Sequence, residues 1–129
     1  MTSSQESLWR SESEPDVLAI ARRVLEIEGQ ALEKLAVSLD GTFAEAVRIL
    51  AVIAGRVVVT GMGKSGHIAR KLAATMASTG TPAMFVHPAE ASHGDLGMIT
   101  DDDAVLALSN SGETTELSDI VEYTRRFKI

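Results

Sequence analysis

Residues 57–66, Val57-Val58-Val59-Thr60-Gly61-Met62-Gly63-Lys64-Ser65-Gly66, decide the fold. Three consecutive β-branched residues without polar alternation suit a strand buried on both faces, the habit of parallel sheets. The glycines behind them, spaced Gly61-x-Gly63-x-x-Gly66, mark a tight turn from that strand into a helix. Downstream the same unit repeats. Residues 66–78 are Ala-rich and helix-forming, with Gly80 placed to cap the helix, residues 83–86 form a second strand, 104–108 a third, and 113–127 another helix. Strands alternating with helices predict right-handed βαβ crossovers. The expected class is α/β, a doubly wound parallel sheet in the flavodoxin-like order 2-1-3 with helices on both faces.

Upstream of this stretch, Ser13-Glu14-Pro15-Asp16 supplies a cap, a first-turn proline and an acid. Val17, Ile20, Ala21, Val24, Leu25, Leu32 and Leu35 then recur at helical spacing. A long amphipathic helix is expected there, and such a face covers either its own sheet or a partner. Thr42 and Glu45 form a capping box for a second, shorter helix that ends near Gly55. Residues 1–12 read as a disordered tail that lacks the basic start and apolar run of a secretory signal. The chain reaches Lys128-Ile129 where the pattern calls for a fourth strand. Residues 13–129 are therefore expected to be a partial domain, truncated after the third strand and its helix, with two leading helices.

Composition narrows the function. With 129 residues, 45% of them apolar, the chain is long enough to bury a core. A formal charge of −6 without a basic patch argues against nucleic acid as a partner. The longest apolar run, residues 49–54, is far too short to span a membrane. No cysteine is present, which excludes disulfides and thiolate metal sites and fits a cytoplasmic setting.

The glycine turn has the spacing of a dinucleotide fingerprint, but the second strand ends in Val86-His87-Pro88, with no acid for a ribose. A Walker A loop would need glycine where Val58 stands. What remains is a helix N-terminus with a partial positive charge, flanked by Lys64 and Ser65, which favours a small anion. A glycine turn with a solvated lysine accounts for the same residues. The second signal is Ser109-Asn110-Ser111-Gly112-Glu113-Thr114-Thr115, directly after the third strand. Asn110 with Glu113 reads as a helix cap. Such a cap uses one side-chain oxygen, whereas Ser109, Ser111 and Thr114 supply three further hydroxyls able to surround a tetrahedral oxyanion. In the order 2-1-3 the first and third strands are neighbours, so both turns face one crevice at their carboxyl ends. A small phosphorylated ligand accounts for that convergence.

Together with Ser78-Thr79-Gly80-Thr81-Pro82 and His93-Gly94-Asp95-Leu96-Gly97-Met98, these segments closely resemble the D-arabinose 5-phosphate isomerases, a branch of the sugar isomerase (SIS) domains. The resemblance runs nearly from Gly55 to Phe127. It implies a reversible aldose–ketose isomerisation between D-arabinose 5-phosphate and D-ribulose 5-phosphate, feeding synthesis of Kdo, the eight-carbon acid sugar of bacterial lipopolysaccharide. No redox cofactor is required by such a reaction. It also implies a cytoplasmic homo-oligomer, tetramer or dimer, and places the rest of the catalytic set and a pair of CBS modules beyond Ile129. By position, the resemblance assigns catalytic roles to Lys64 and Glu116, and substrate binding to Gly80, Thr81, His93, Ser109, Asn110, Ser111 and Thr114; Ser65, at the helix start, joins the substrate-binding set as an anion donor. It further suggests zinc at His87, for which Glu90, His93 and Asp95 are the neighbouring candidate ligands. A lone histidine at a strand end before Pro88 is more often a hydrogen-bonded structural residue, and zinc needs three or four ligands. Two other functions fit part of the pattern. A non-catalytic phosphosugar sensor would share the serine turn but normally carries a basic DNA-binding unit in front, and residues 1–54 are acidic. NAD binding would use the glycine turn alone.

Overall fold

The computed structural model describes residues 14–129. They fall into two units, residues up to Phe43 and residues from Ala44 onward. In the first unit, α1 (Glu14–Ser38) follows the expected helical spacing. Its apolar face remains largely open, with Val24 47% and Leu25 68% exposed. The Ser13 cap and the tail of residues 1–12 lie outside the described residues. The second helix, α2 (Gly41–Val52), starts one residue before Thr42. Asp40 caps it, because its carboxylate accepts the Thr42 amide at 2.8 Å and the Thr42 hydroxyl at 2.6 Å. The expected Thr42–Glu45 box is replaced, and Glu45 pairs with Arg48 at 2.7 Å. Those bonds from Thr42 hold the Asp40 carboxyl below its ordinary range.

From Ala44 on, the chain builds a parallel sheet. β1 (Val57–Gly61) is central, with β2 (Ala83–Phe85) on one side and β3 (Ala104–Leu108) on the other, so the order is β2-β1-β3. Val57 stands opposite Ala83 and Ala104, and Gly61 stands opposite Leu108. All five residues of β1 are buried, as a strand with helices on both faces requires. Successive side chains point to opposite faces. Val57 and Val59 accordingly pack with Ala69 and Ala73 of α3 (Gly63–Ser78), joined by Leu50 and Ile53. Val58 packs on the other face with Val86, Ala91 of α4 (Pro88–Ser92), Ile99, and Ile120 of α5 (Ser118–Phe127). The doubly wound architecture is therefore present.

Several element boundaries differ from expectation. α3 begins three residues before Gly66, and Gly80, at φ 97°, follows its last turn as foreseen. Between β2 and β3 the chain inserts α4 and a 3-10 turn, Asp95–Met98, where no regular structure was foreseen. The last helix starts at Ser118 after a 3-10 turn, Thr115–Leu117, rather than at residue 113.

Asp103 joins the starts of β1 and β3. It is 5% exposed, and its carboxylate accepts the Arg56 amide at 2.7 Å, the Thr100 amide at 2.9 Å and the Thr100 hydroxyl at 3.1 Å. The Arg56 guanidinium lies 3.6 Å away. Burial opposes ionisation, but the Thr100 and Arg56 bonds and the nearby guanidinium outweigh it, leaving the carboxyl below its ordinary range. A lowered folded-state pKa contributes stability that is fully present above the unfolded value of about 3.9 and is lost as pH falls through the folded value. Asp103→Ala is expected to cost about 2–3 kcal/mol by stranding the Arg56 and Thr100 amides. Urea unfolding at neutral pH measures that loss. Asp103→Asn should flatten the acid limb of the stability profile below about pH 4.

Candidate functional site

The carboxyl end of β1 runs straight into α3, and glycine permits the junction. Gly63 has φ 56°, the left-handed region that glycine enters without strain. Gly66 is constrained by space: a Cβ there would sit 2.6 Å from the Gly61 carbonyl oxygen. The helix start is thus pressed onto the strand end. Met62 at the N-cap makes no side-chain capping bond, and the Gly66 amide is bonded to the Met62 carbonyl at 3.3 Å. The amides before Gly66 stand at the positive end of a 16-residue helix with no side-chain cap.

Lys64, Ser65 and Ile68 form one wall of a cleft of about 430 Å³, and Ala107, Leu108, Ser109 and Asn110 form the other. The two turns singled out in the sequence meet there because β1 and β3 are adjacent and parallel. Ser109 also borders a neighbouring cleft of about 530 Å³ with Gly112, Glu113, Thr114 and Thr115. Within the serine turn the hydroxyls organise the backbone. Ser109 Oγ accepts the Gly112 amide at 3.0 Å, Ser111 Oγ accepts the Glu113 amide at 3.2 Å, and Gly112 takes φ 74°. Ser109 Oγ and Thr114 Oγ1 are 2.7 Å apart. Whichever of that pair donates to the other, one hydroxyl proton stays free for a ligand. The expected Asn110 cap is not formed, because no helix starts at residue 111; Asn110 instead lines the Lys64 cleft.

The remaining candidates scatter. Glu116 is exposed in the 3-10 turn and lines neither cleft, although its neighbours Thr115 and Leu117 do. His93 is exposed at the end of α4. Gly80 and Thr81 precede β2, and the Val57 amide bonds to the Pro82 carbonyl at 2.9 Å, so both lie at the amino edge of the sheet. The two turns are at the opposite, carboxyl edge. His87 Nδ1 accepts the Ala89 amide at 3.2 Å and caps α4, the structural role open to a histidine before Pro88. Among the described residues no three His, Asp or Glu side chains gather as metal ligands, so Glu90, His93 and Asp95 do not complete a zinc site with His87. The donor set among the described residues does not fit zinc.

Residues 52–129 match the SIS-domain family model, more than half of the chain. The chain belongs to the SIS-domain family. The chain is 53% identical over 114 residues to the arabinose 5-phosphate isomerase KdsD of Pseudomonas aeruginosa, covering 88% of this chain and 35% of that protein. The KdsD of Yersinia pestis is also 53% identical, with the same coverage. The chain thus spans about a third of the length of these relatives. Among solved structures, Escherichia coli CFT073 c3406 in complex with arabinose 5-phosphate aligns with a TM-score of 0.84 and 44% identity, covering 90% of this chain and 62% of that one.

Glu113 and Thr115, which belong to the quoted turn, also line the serine-turn cleft, as does Ser118, to which the sequence reading gives no role. The glycine junction carries its own test. Gly63→Ala should cost about 1–2 kcal/mol from the left-handed backbone alone. Gly66→Ala should cost more, because α3 must lift from β1. Denaturant midpoints of the two variants provide the comparison, with equal losses contradicting the close-approach argument.

Proposed function

We propose that this SIS domain grips the phosphate of a pentose phosphate, and that the protein carrying it interconverts D-arabinose 5-phosphate and D-ribulose 5-phosphate. The observation that carries this reading is the shared cleft of Lys64 and Ser65 with Ser109 and Asn110. Likeness to KdsD isomerases and to a structure in complex with arabinose 5-phosphate supports the substrate class. In this reading residues 13–129 form part of an SIS domain within a longer, cytoplasmic enzyme that supplies Kdo synthesis. The amphipathic pattern of α1 supports a homo-oligomer, dimer or tetramer. Among the described residues, no helix is long and apolar enough to cross a membrane.

The chemistry follows from the bonds that must change. Going from aldose to ketose, a base removes the C2 proton while an acid protonates O1, giving an enediol. O2 then loses its proton as C1 gains one. No electron acceptor is involved. Ser109, Ser111 and Thr114 hold the phosphate with hydroxyl donors, together with the amides of their turn, and so fix the reacting carbons several bonds away. Lys64 places positive charge across from that turn, where it stabilises the negative oxygen that develops on the way to the enediol. Glu116 serves as a proton carrier in this scheme. Its exposed position in the 3-10 turn requires that the substrate or a further part of the protein reach it. His93 completes the proposed substrate contacts in this scheme, whereas Gly80 and Thr81, at the amino edge of the sheet, can touch a sugar bound at the carboxyl edge only from a second subunit.

A coupled assay for ribulose 5-phosphate on the full-length protein tests both parts. Lys64→Ala is expected to lower kcat by about 100-fold or more, the scale of losing one transition-state charge partner. Ser109→Ala combined with Ser111→Ala should raise KM by about tenfold, the loss of roughly one charge-assisted hydrogen bond. Unchanged turnover in Lys64→Ala would remove that residue from the mechanism.

A further inference from the structure

Among the described residues, the buried polar side chains are Asp103 and Thr60. Asp103 ties strand starts together at the amino edge of the sheet. Thr60 lies near the carboxyl end of β1 with no exposed surface, where a valine would fill the space without a hydroxyl to satisfy. Its hydroxyl donates to the Val86 carbonyl at 2.7 Å. The register between β1 and β2 ends with Val59 opposite Phe85, although the Val86 amide still reaches the Val59 carbonyl at 3.1 Å. Thr60 thus takes the first carbonyl beyond the paired residues and fixes the direction in which the chain leaves the sheet.

The next residue along is His87. Its Nδ1 accepts the Ala89 amide at 3.2 Å, and its ring meets that of Phe85 edge-on with centroids 6.2 Å apart. Phe85 in turn carries the Arg70 guanidinium carbon 4.1 Å from its ring centroid. A nitrogen that accepts carries no proton, so the neutral imidazole keeps its proton on Nε2 as a donor. With Gly63, Gly66 and His67, His87 borders a cleft of about 170 Å³ at the start of α3. Gly63 directly precedes Lys64, which shares the other cleft with Ser109. In the order β2-β1-β3, His87, the α3 start and the serine turn therefore stand in a row along the carboxyl edge. Neighbouring strands lie about 4.8 Å apart, which places the ends of β2 and β3 roughly 10 Å from each other across β1. A pentose phosphate held at the serine turn by its phosphate extends along that row with its reacting carbons foremost.

We propose that Thr60 is a positioning residue for the isomerisation: by holding the Val86 carbonyl, it sets His87 where its Nε2–H meets an oxygen of the sugar. The inference rests on the isomerase reading of the cleft. Thr60 itself, without exposed surface, touches no substrate and acts through the Val86-His87 backbone.

Steady-state kinetics of the full-length protein with arabinose 5-phosphate test the proposal through a double-mutant cycle. Thr60→Val is expected to lower kcat about tenfold, the scale of a slightly misplaced donor, with KM within about twofold of wild type because the phosphate grip is untouched. Thr60→Ser, which keeps the hydroxyl, should hold kcat within about twofold of wild type. His87→Gln should lower kcat at least as far as Thr60→Val, and adding Thr60→Val to it should lower kcat no further. Long-range proton–nitrogen spectra of the histidine rings give a readout without turnover. His87 is expected to hold the Nε2–H tautomer in wild type and Thr60→Ser, and to average between tautomers in Thr60→Val. Thr60→Ala against Thr60→Ser, a pair that differs by one oxygen, repeats the comparison should Thr60→Val not fold. Unchanged turnover in Thr60→Val overturns the proposal, as do equal losses in Thr60→Val and Thr60→Ser, losses that multiply in the double variant, or a His87 signal that does not move. Should the wild type fail to turn over arabinose 5-phosphate, the isomerase reading fails by itself, while the ring spectra still decide whether Thr60 holds His87.

Discussion

The close approach of the α3 start to the β1 end is the constraint on which the rest of the structure depends. With only 2.6 Å between the place of a Gly66 Cβ and the Gly61 carbonyl oxygen, the helix leaves the strand without an intervening loop. This contact sets the height of α3 over the sheet, and so brings Ala69 and Ala73 against Val57 and Val59. Small side chains on α3 are the counterpart of that closeness, because a larger residue at either position would push the helix away. It also fixes where the uncapped amides of α3 point. They open at the carboxyl edge of the sheet, where the serine turn arrives from the neighbouring strand. Packing and site geometry therefore have one origin.

Much of this was legible in a few residues. Val57-Val58-Val59 announces a strand buried on both sides, and Ala104 to Leu108 is found as expected, because continuous apolar runs bounded by turn residues carry their own local signal. The strand order is that of the flavodoxin-like class read from the alternating pattern, and with it comes the meeting of the glycine and serine turns. What escaped was non-local. Asp103 bonds to an amide 47 positions earlier, and nothing in Asp101-Asp102-Asp103 tells which acid is buried. Arg70, Phe85 and His87 come from a helix, a strand and the residue capping the next helix, with no spacing that announces their stack.

Gly80 and Thr81 show the limit differently. In sequence they stand between the glycine turn and His87, and their resemblance to substrate-contacting positions is close. A parallel strand nevertheless separates its two ends by its full length, and a βα unit returns the chain to the amino edge before the next strand begins. Thr81 must therefore lie across the sheet from Lys64, whatever its own chemistry. The register of Val57 with Ala83 makes this a property of the topology rather than of one side chain. Within this chain, nearness in sequence and nearness to the cleft are separate quantities.

The serine turn adds an argument about cost. A loop that must order itself around an anion loses conformational entropy on binding, about 1–2 kcal/mol for each backbone residue fixed. Here the turn's own bonds supply the ordering, since Ser109 and Ser111 hold the Gly112 and Glu113 amides and Thr114 closes on Ser109. The hydroxyl oxygens act as acceptors toward the backbone, which leaves protons for an incoming anion. A phosphate arriving at this turn needs hydroxyl rotation and no rebuilding of the backbone. The same residues that read as a helix cap in the sequence thus serve a different end, using their oxygens to hold the turn and their protons to receive charge.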